Sequence, residues 1–116
     1  GVLHRHPHID ICLSHAGGTM TSLIGRFNRA CTQRPWVPEH LQYDGAFEES
    51  LQHLWFDTHV HDPRVLNWVI DIMGTEKLLL GTNFAGWDQH AMTQDIEPDL
   101  AANMAANAKR LLRVTS

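Results

Sequence analysis

The chain has 116 residues, the length of one small domain, with 43% apolar residues and a net charge of −4, a composition ordinary for a globular protein. No apolar run approaches the roughly 20 residues of a membrane-spanning helix, no basic segment followed by an apolar core marks a signal peptide, and no Lys/Arg stripe offers itself to nucleic-acid phosphates. Cys12 and Cys31 have no paired spacing and Cys12 lies inside an apolar run, so the expected setting is reduced and cytoplasmic.

The stretch from His8 to His15, HIDICLSH, is rich in apolar, β-favouring residues; it is introduced by Pro7 and stopped by Ala16, Gly17 and Gly18, which predicts a first strand. The cluster of His4, His6 and His8 before it reads as a solvated loop. A helix is expected from about Thr21, with Leu23, Ile24, Phe27 and Ala30 on one face and Pro35 and Pro38 ending it. Residues 33–44 read as a surface loop, FEESLQHL as another helical stretch, and Leu54 to Thr58 as a short second strand. In DPRVLNWVIDIMG, Asp62 is placed to cap a helix, Pro63 fits its first position, Gly74 its stop, and Leu66, Val69, Ile70 and Met73 its apolar stripe. Lys77 to Thr82 predicts a third strand, in which Leu78, Leu79 and Leu80 show no polar alternation and so read as covered on both faces. A last helix is expected from about Glu97 to Arg113, opened by Pro98.

Strands alternating with helices make right-handed parallel units. Strands apolar on both faces need a wider sheet and a second layer than three of them provide, and the sequence begins at Gly1 rather than Met. The expectation is a piece of an α/β barrel or larger open sheet whose other strands precede Gly1. In such folds the chemistry gathers at the strand C-terminal ends, which here carry His15, then Asp57 with His59 and His61, then Asn83. Each alone has a bland reading: a satisfied polar strand end for His15, a turn cap for Asp57.

In that order, HPHIDICLSHAGG, IGRFNRA with a later RP, LWFDTHVHDP, MGTEKLLLGTNF and NAKRLL resemble the amidohydrolase-related family of the aminocarboxymuconate semialdehyde decarboxylase type, over nearly the whole chain. The resemblance implies a metal-dependent (β/α)8 TIM barrel with one divalent ion, usually zinc. Strands six, seven and eight with their helices would then be supplied here, making residues 1–116 the C-terminal fragment of a single amidohydrolase-related domain. It makes His15 the catalytic histidine that polarises metal-bound water or protonates the substrate. It puts Asn83 where the family has a metal-ligating aspartate, and this is a departure. An amide oxygen can coordinate a hard cation but brings no charge and is a poor base. Either Asn83 ligates the metal, or it only bonds the strand-end turn while Asp88 in the following loop takes over. The family's other ligands, a His-x-His pair on strand one and a histidine on strand five, have no counterpart here.

His59 and His61 lie two apart on an extended chain and so can grip a metal. Their surroundings match strand seven, however, and the preferred reading is that His61 and Asp62 shape the start of the following helix. Arg26 and Arg34 match positions at which family members hold substrate carboxylates, the former often reaching into a neighbouring subunit, which implies a homodimer. A guanidinium suits the task because its planar fork meets a carboxylate with two parallel bonds. The alternative for each is a solvated cation. The functional expectation is carbon–carbon cleavage, decarboxylation of an unsaturated or aromatic carboxylic acid. The alternatives are a metal-dependent hydrolase of the same family and a non-catalytic remnant serving as an interaction module.

Overall fold

The computed structural model describes residues 1–88 and 96–114. The chain runs α1 (Val2–Arg5), β1 (Cys12–Leu13), a 3-10 turn (His15–Gly17), α2 (Thr19–Ser22), α3 (Ile24–Gln33), a second 3-10 turn (Glu39–Leu41), α4 (Ala46–Leu51), β2 (Trp55–Asp57), α5 (Pro63–Met73), β3 (Leu78–Leu79) and α6 (Pro98–Leu112). The sheet is parallel throughout in the order β1-β2-β3. Cys12 lies opposite Trp55 and Leu13 opposite Phe56; Phe56 in turn faces Leu78, and Asp57 faces Leu79. Helices return the chain between successive strands, which is the α/β arrangement expected of consecutive barrel units.

β2 is the central strand because its residues tolerate burial from both sides. Trp55 and Phe56 are buried, and Phe56 sits in one cluster with Ala16, Leu51, Val69, Leu78 and Met104. At the N-terminal ends of the strands Trp55 closes the layer: Lys77 and Arg110 stand 5.7 and 5.1 Å from its ring, and its indole N–H donates to Asp10 at 3.0 Å. α5 forms as its sequence signals require. The Asp62 side chain accepts from the Arg64 backbone N–H at 2.9 Å, Pro63 opens the helix, and Gly74, at φ 72°, ends it.

Four expectations are corrected. The long first strand pairs only at Cys12 and Leu13, since its partner strand is itself short. The helix expected from Thr21 is divided at Leu23, whose φ of −112° and ψ of 18° interrupt the helical run. α4 begins at Ala46, ahead of FEESLQHL, because Gly45 in the left-handed region starts it. The three leucines are not covered on both faces: Leu78 is buried, but Leu79 is half-buried and Leu80 is exposed. Among the described residues β1 and β3 each pair with β2 alone, and Leu79 and Leu80 border an open apolar groove with Ala105, Ala108, Leu111 and Leu112 of α6.

α6 is stitched to β3 by a polar residue that hydrophobic periodicity passes over. Asn107 is buried, and its amide donates to the carbonyls of Thr75 at 2.7 Å and Leu78 at 2.8 Å. Replacing it with an apolar residue of similar size strands the Leu78 carbonyl in a water-poor site. Asn107→Leu is therefore expected to lower the unfolding free energy by about 1–3 kcal/mol. Urea denaturation checks this; an unchanged midpoint would show that α6 is held by its apolar face alone.

Candidate active site at the strand C-terminal ends

Two adjacent side chains at the end of β2 bring the three strand ends together. The Asp57 carboxylate accepts from the Ala16 backbone N–H at 3.2 Å and from the His59 N–H at 3.0 Å, both at Oδ1. The Thr58 hydroxyl accepts from the Gly81 N–H at 3.1 Å. The approach of β3 to β2 is close enough that a Cβ on Gly81 would lie 2.8 Å from Cγ of Asp57, so a larger residue there would displace the Asp57 side chain.

The turn after β1 is left-handed over four residues: His15, Ala16, Gly17 and Gly18 have φ of 53, 52, 78 and 52°. This conformation costs about 1–2 kcal/mol for each residue bearing a Cβ. Burial of Ala16 and its bond to Asp57 oppose that cost. The turn presents the exposed His15 ring beside β2, where its Nδ1 lies 3.2 Å from the His59 carbonyl. A carbonyl only accepts, so Nδ1 carries the hydrogen, and Nε2 is the nitrogen left to exchange a proton.

The His59 ring is buried and sits 5.0 Å from that of His15 and 5.1 Å from that of His61. Both His59 and His61 point Nε2 at the same oxygen of Asp88, at 3.1 and 3.3 Å. Asn83 lies in the left-handed region at φ 48°, which asparagine tolerates, and its amide nitrogen donates to the other Asp88 oxygen. A carboxylate can only accept, so the nitrogen and not the oxygen of Asn83 faces the cluster. Desolvation pushes the Asp88 carboxyl up, but bonds from His61, His59 and Asn83 outweigh it and hold the pKa at about 2.

The donor atoms of His59, His61 and Asp88 all lie within 4.8 Å of one another. Two imidazoles and a carboxylate form a donor set that suits a divalent transition metal, zinc among them. Of the residues singled out in the sequence, the structure therefore gathers His15, Asn83 and Asp88 around His59. Arg26 on α3 and Arg34 just beyond it are exposed, and among the described residues no hydrogen bond or ion pair joins either to that group. The His59–His61 spacing was visible, but its meeting with Asp88 depends on a loop path that spacing does not encode. Asp62 caps α5, while His61 turns to Asp88 instead.

A parallel α/β sheet with three imidazoles and a carboxylate at its strand C-terminal ends is an arrangement that can hold a divalent metal. Residues 1–114 match the family described as Amidohydrolase, and the chain belongs to that family. It is 31% identical over 84 residues to a 2-amino-3-carboxymuconate-6-semialdehyde decarboxylase of Dictyostelium discoideum, a match covering 72% of this chain and 23% of that protein. It is 33% identical over 86 residues to a 6-methylsalicylic acid decarboxylase of Penicillium expansum, covering 72% and 26%. The chain thus spans about a quarter of the length of these relatives. The fold superposes on 5-carboxyvanillate decarboxylase from Sphingomonas paucimobilis with a TM-score of 0.78 at 22% identity, covering 99% of this chain and 37% of that one. The three-stranded unit is accordingly part of a TIM barrel.

The depressed Asp88 pKa fixes a pH dependence. Its bonds contribute stability fully above the ordinary value of 3.8, and this is lost as the pH falls through about 2. The stability difference between the chain and Asp88→Asn is expected to shrink from pH 3.8 to about 2. Chemical denaturation across that range tests it; a constant difference would mean that Asp88 is not held by these partners.

Proposed function

We propose that this chain is the C-terminal fragment of a single amidohydrolase-related domain that decarboxylates an aromatic or unsaturated carboxylic acid, with zinc as its metal. Support comes from the relatives named as decarboxylases and from the share of the barrel-type neighbour that the chain covers. The observation that carries the reading is His15. A left-handed turn and the His59 carbonyl hold this exposed imidazole at a strand end, beside a metal-type donor set.

Zinc, when bound, supplies positive charge that draws electron density from the substrate. Asp88 is assigned to the metal. Asn83, which the resemblance also nominates, acts through its bond to Asp88, because its amide nitrogen faces the carboxylate. His15 delivers a proton from Nε2 to the substrate carbon that bears the carboxylate. As that carbon–hydrogen bond forms, the bond to the carboxylate breaks, its electron pair returns to the unsaturated system, and carbon dioxide leaves. His15 then regains its proton from water. Nδ1, bonded to the His59 carbonyl, keeps the ring oriented through both steps. Arg26 and Arg34 are assigned to a substrate carboxylate, Arg26 across a homodimer interface, in a cytoplasmic protein. A hydrolase of the same family needs a second base, and the amide at position 83 favours decarboxylation, led by one histidine.

In the complete polypeptide, His15→Ala is expected to lower turnover of an aromatic carboxylate by about 100-fold or more, as for a positioned acid, with an unchanged melting temperature. Carbon dioxide release is the measurement, and full turnover in the variant would remove His15 from the reaction. Arg34→Lys is expected to raise KM more than it lowers kcat, since an ammonium cannot reproduce a two-pronged contact. An unchanged KM would place the carboxylate elsewhere.

A further inference from the structure

We propose that His59, His61 and Asp88 form a zinc seat contained wholly within this chain, independent of the strand-one and strand-five histidines that the family resemblance implies. The inference shares with the proposed function only the assignment of Asp88 to the metal, and it stands on geometry whether or not the reaction is a decarboxylation.

Zinc bound by three protein groups at about 2.0–2.1 Å in a tetrahedron sets neighbouring donor atoms about 3.3–3.4 Å apart. Asp88 Oδ2 already lies 3.1 Å from His59 Nε2 and 3.3 Å from His61 Nε2. The remaining edge, between the two imidazole nitrogens, is no longer than 4.8 Å. The His61 side chain is 56% exposed, whereas His59, at 4%, is the fixed anchor. Asn83 fixes the third donor by binding the Asp88 oxygen that does not face the imidazoles.

The chemistry of His59 points the same way. Its Nδ1 is buried without a hydrogen-bond partner among the described residues, so Asp88 alone serves the ring. That leaves Nε2, which faces the Asp88 carboxylate, as the nitrogen the ring offers a metal. Three protein donors leave a fourth tetrahedral position open, the pattern of catalytic rather than structural zinc. The ring of His15, 5.0 Å from that of His59, stands next to it.

The test uses the full chain, freed of metal and titrated with cobalt(II), which reports its geometry by colour, and with zinc by mass spectrometry after dialysis. One equivalent of cobalt with the intense visible bands of a tetrahedral site is expected. His61→Ala and Asp88→Asn should each weaken binding at least about 10-fold and reduce those bands. Both residues lie on the surface side of the cluster, so these variants avoid the folding risk of removing buried His59. Pale octahedral cobalt, or binding unaltered in both variants, overturns the proposal. A complete protein that keeps zinc through these residues yet releases no carbon dioxide supports the metal seat while ending the decarboxylase reading. One that decarboxylates with a cobalt spectrum indifferent to His61→Ala ends the metal seat alone.

Discussion

The carboxylate of Asp57 is the point from which the site hangs. It accepts from backbone N–H groups on two different strand-end turns, while the neighbouring Thr58 hydroxyl accepts from a third. Charge-assisted bonds of this kind are roughly twice as strong as neutral ones. Here they do positional work as well, because the turns they hold are poorly supported by regular sheet pairing. β1 and β3 are each two residues long, too short to fix loops several residues beyond them. Without Asp57 the left-handed turn through Ala16 would lose the bond that offsets its conformational cost, and His15 would lose its bearing on the sheet.

His59 then connects the two halves of the site. Its backbone carbonyl orients His15 and its ring meets Asp88, so one residue's position fixes both the His15 imidazole and the carboxylate. The His59 N–H in turn bonds Asp57. A displacement of the β2 end would be felt at His15 and Asp88 together.

Much of this was legible from sequence because it rests on local rules. Asp62, Pro63 and Gly74 announce α5 through capping chemistry that needs no knowledge of the rest of the chain. The apolar run ending at Gly81 marks β3, and short motifs in order pointed to the family. Three things were not legible. The left-handed φ at His15 and Ala16 accompanies a bond from the Ala16 N–H to Asp57, 41 residues away. The meeting of His61 with Asp88 spans 27 residues through a loop. Asn107 carries no apolar signal, yet it is buried because two carbonyls need its amide. Long-range hydrogen bonding decided each case, and periodicity is blind to it.

The open side of β3 has a consequence for the chain's life before it functions. Leu79 and Leu80 line a greasy cleft against α6, while the outward peptide groups of Leu78 are already taken, its N–H by the Thr75 carbonyl and its carbonyl by the Asn107 amide. An uncovered aliphatic cleft is a surface on which apolar groups of other molecules can settle. Whatever fills that cleft competes with other molecules for the same aliphatic side chains. The yield of usable protein after synthesis is therefore a race between docking and aggregation, decided by concentration and time rather than by the stability of the folded core.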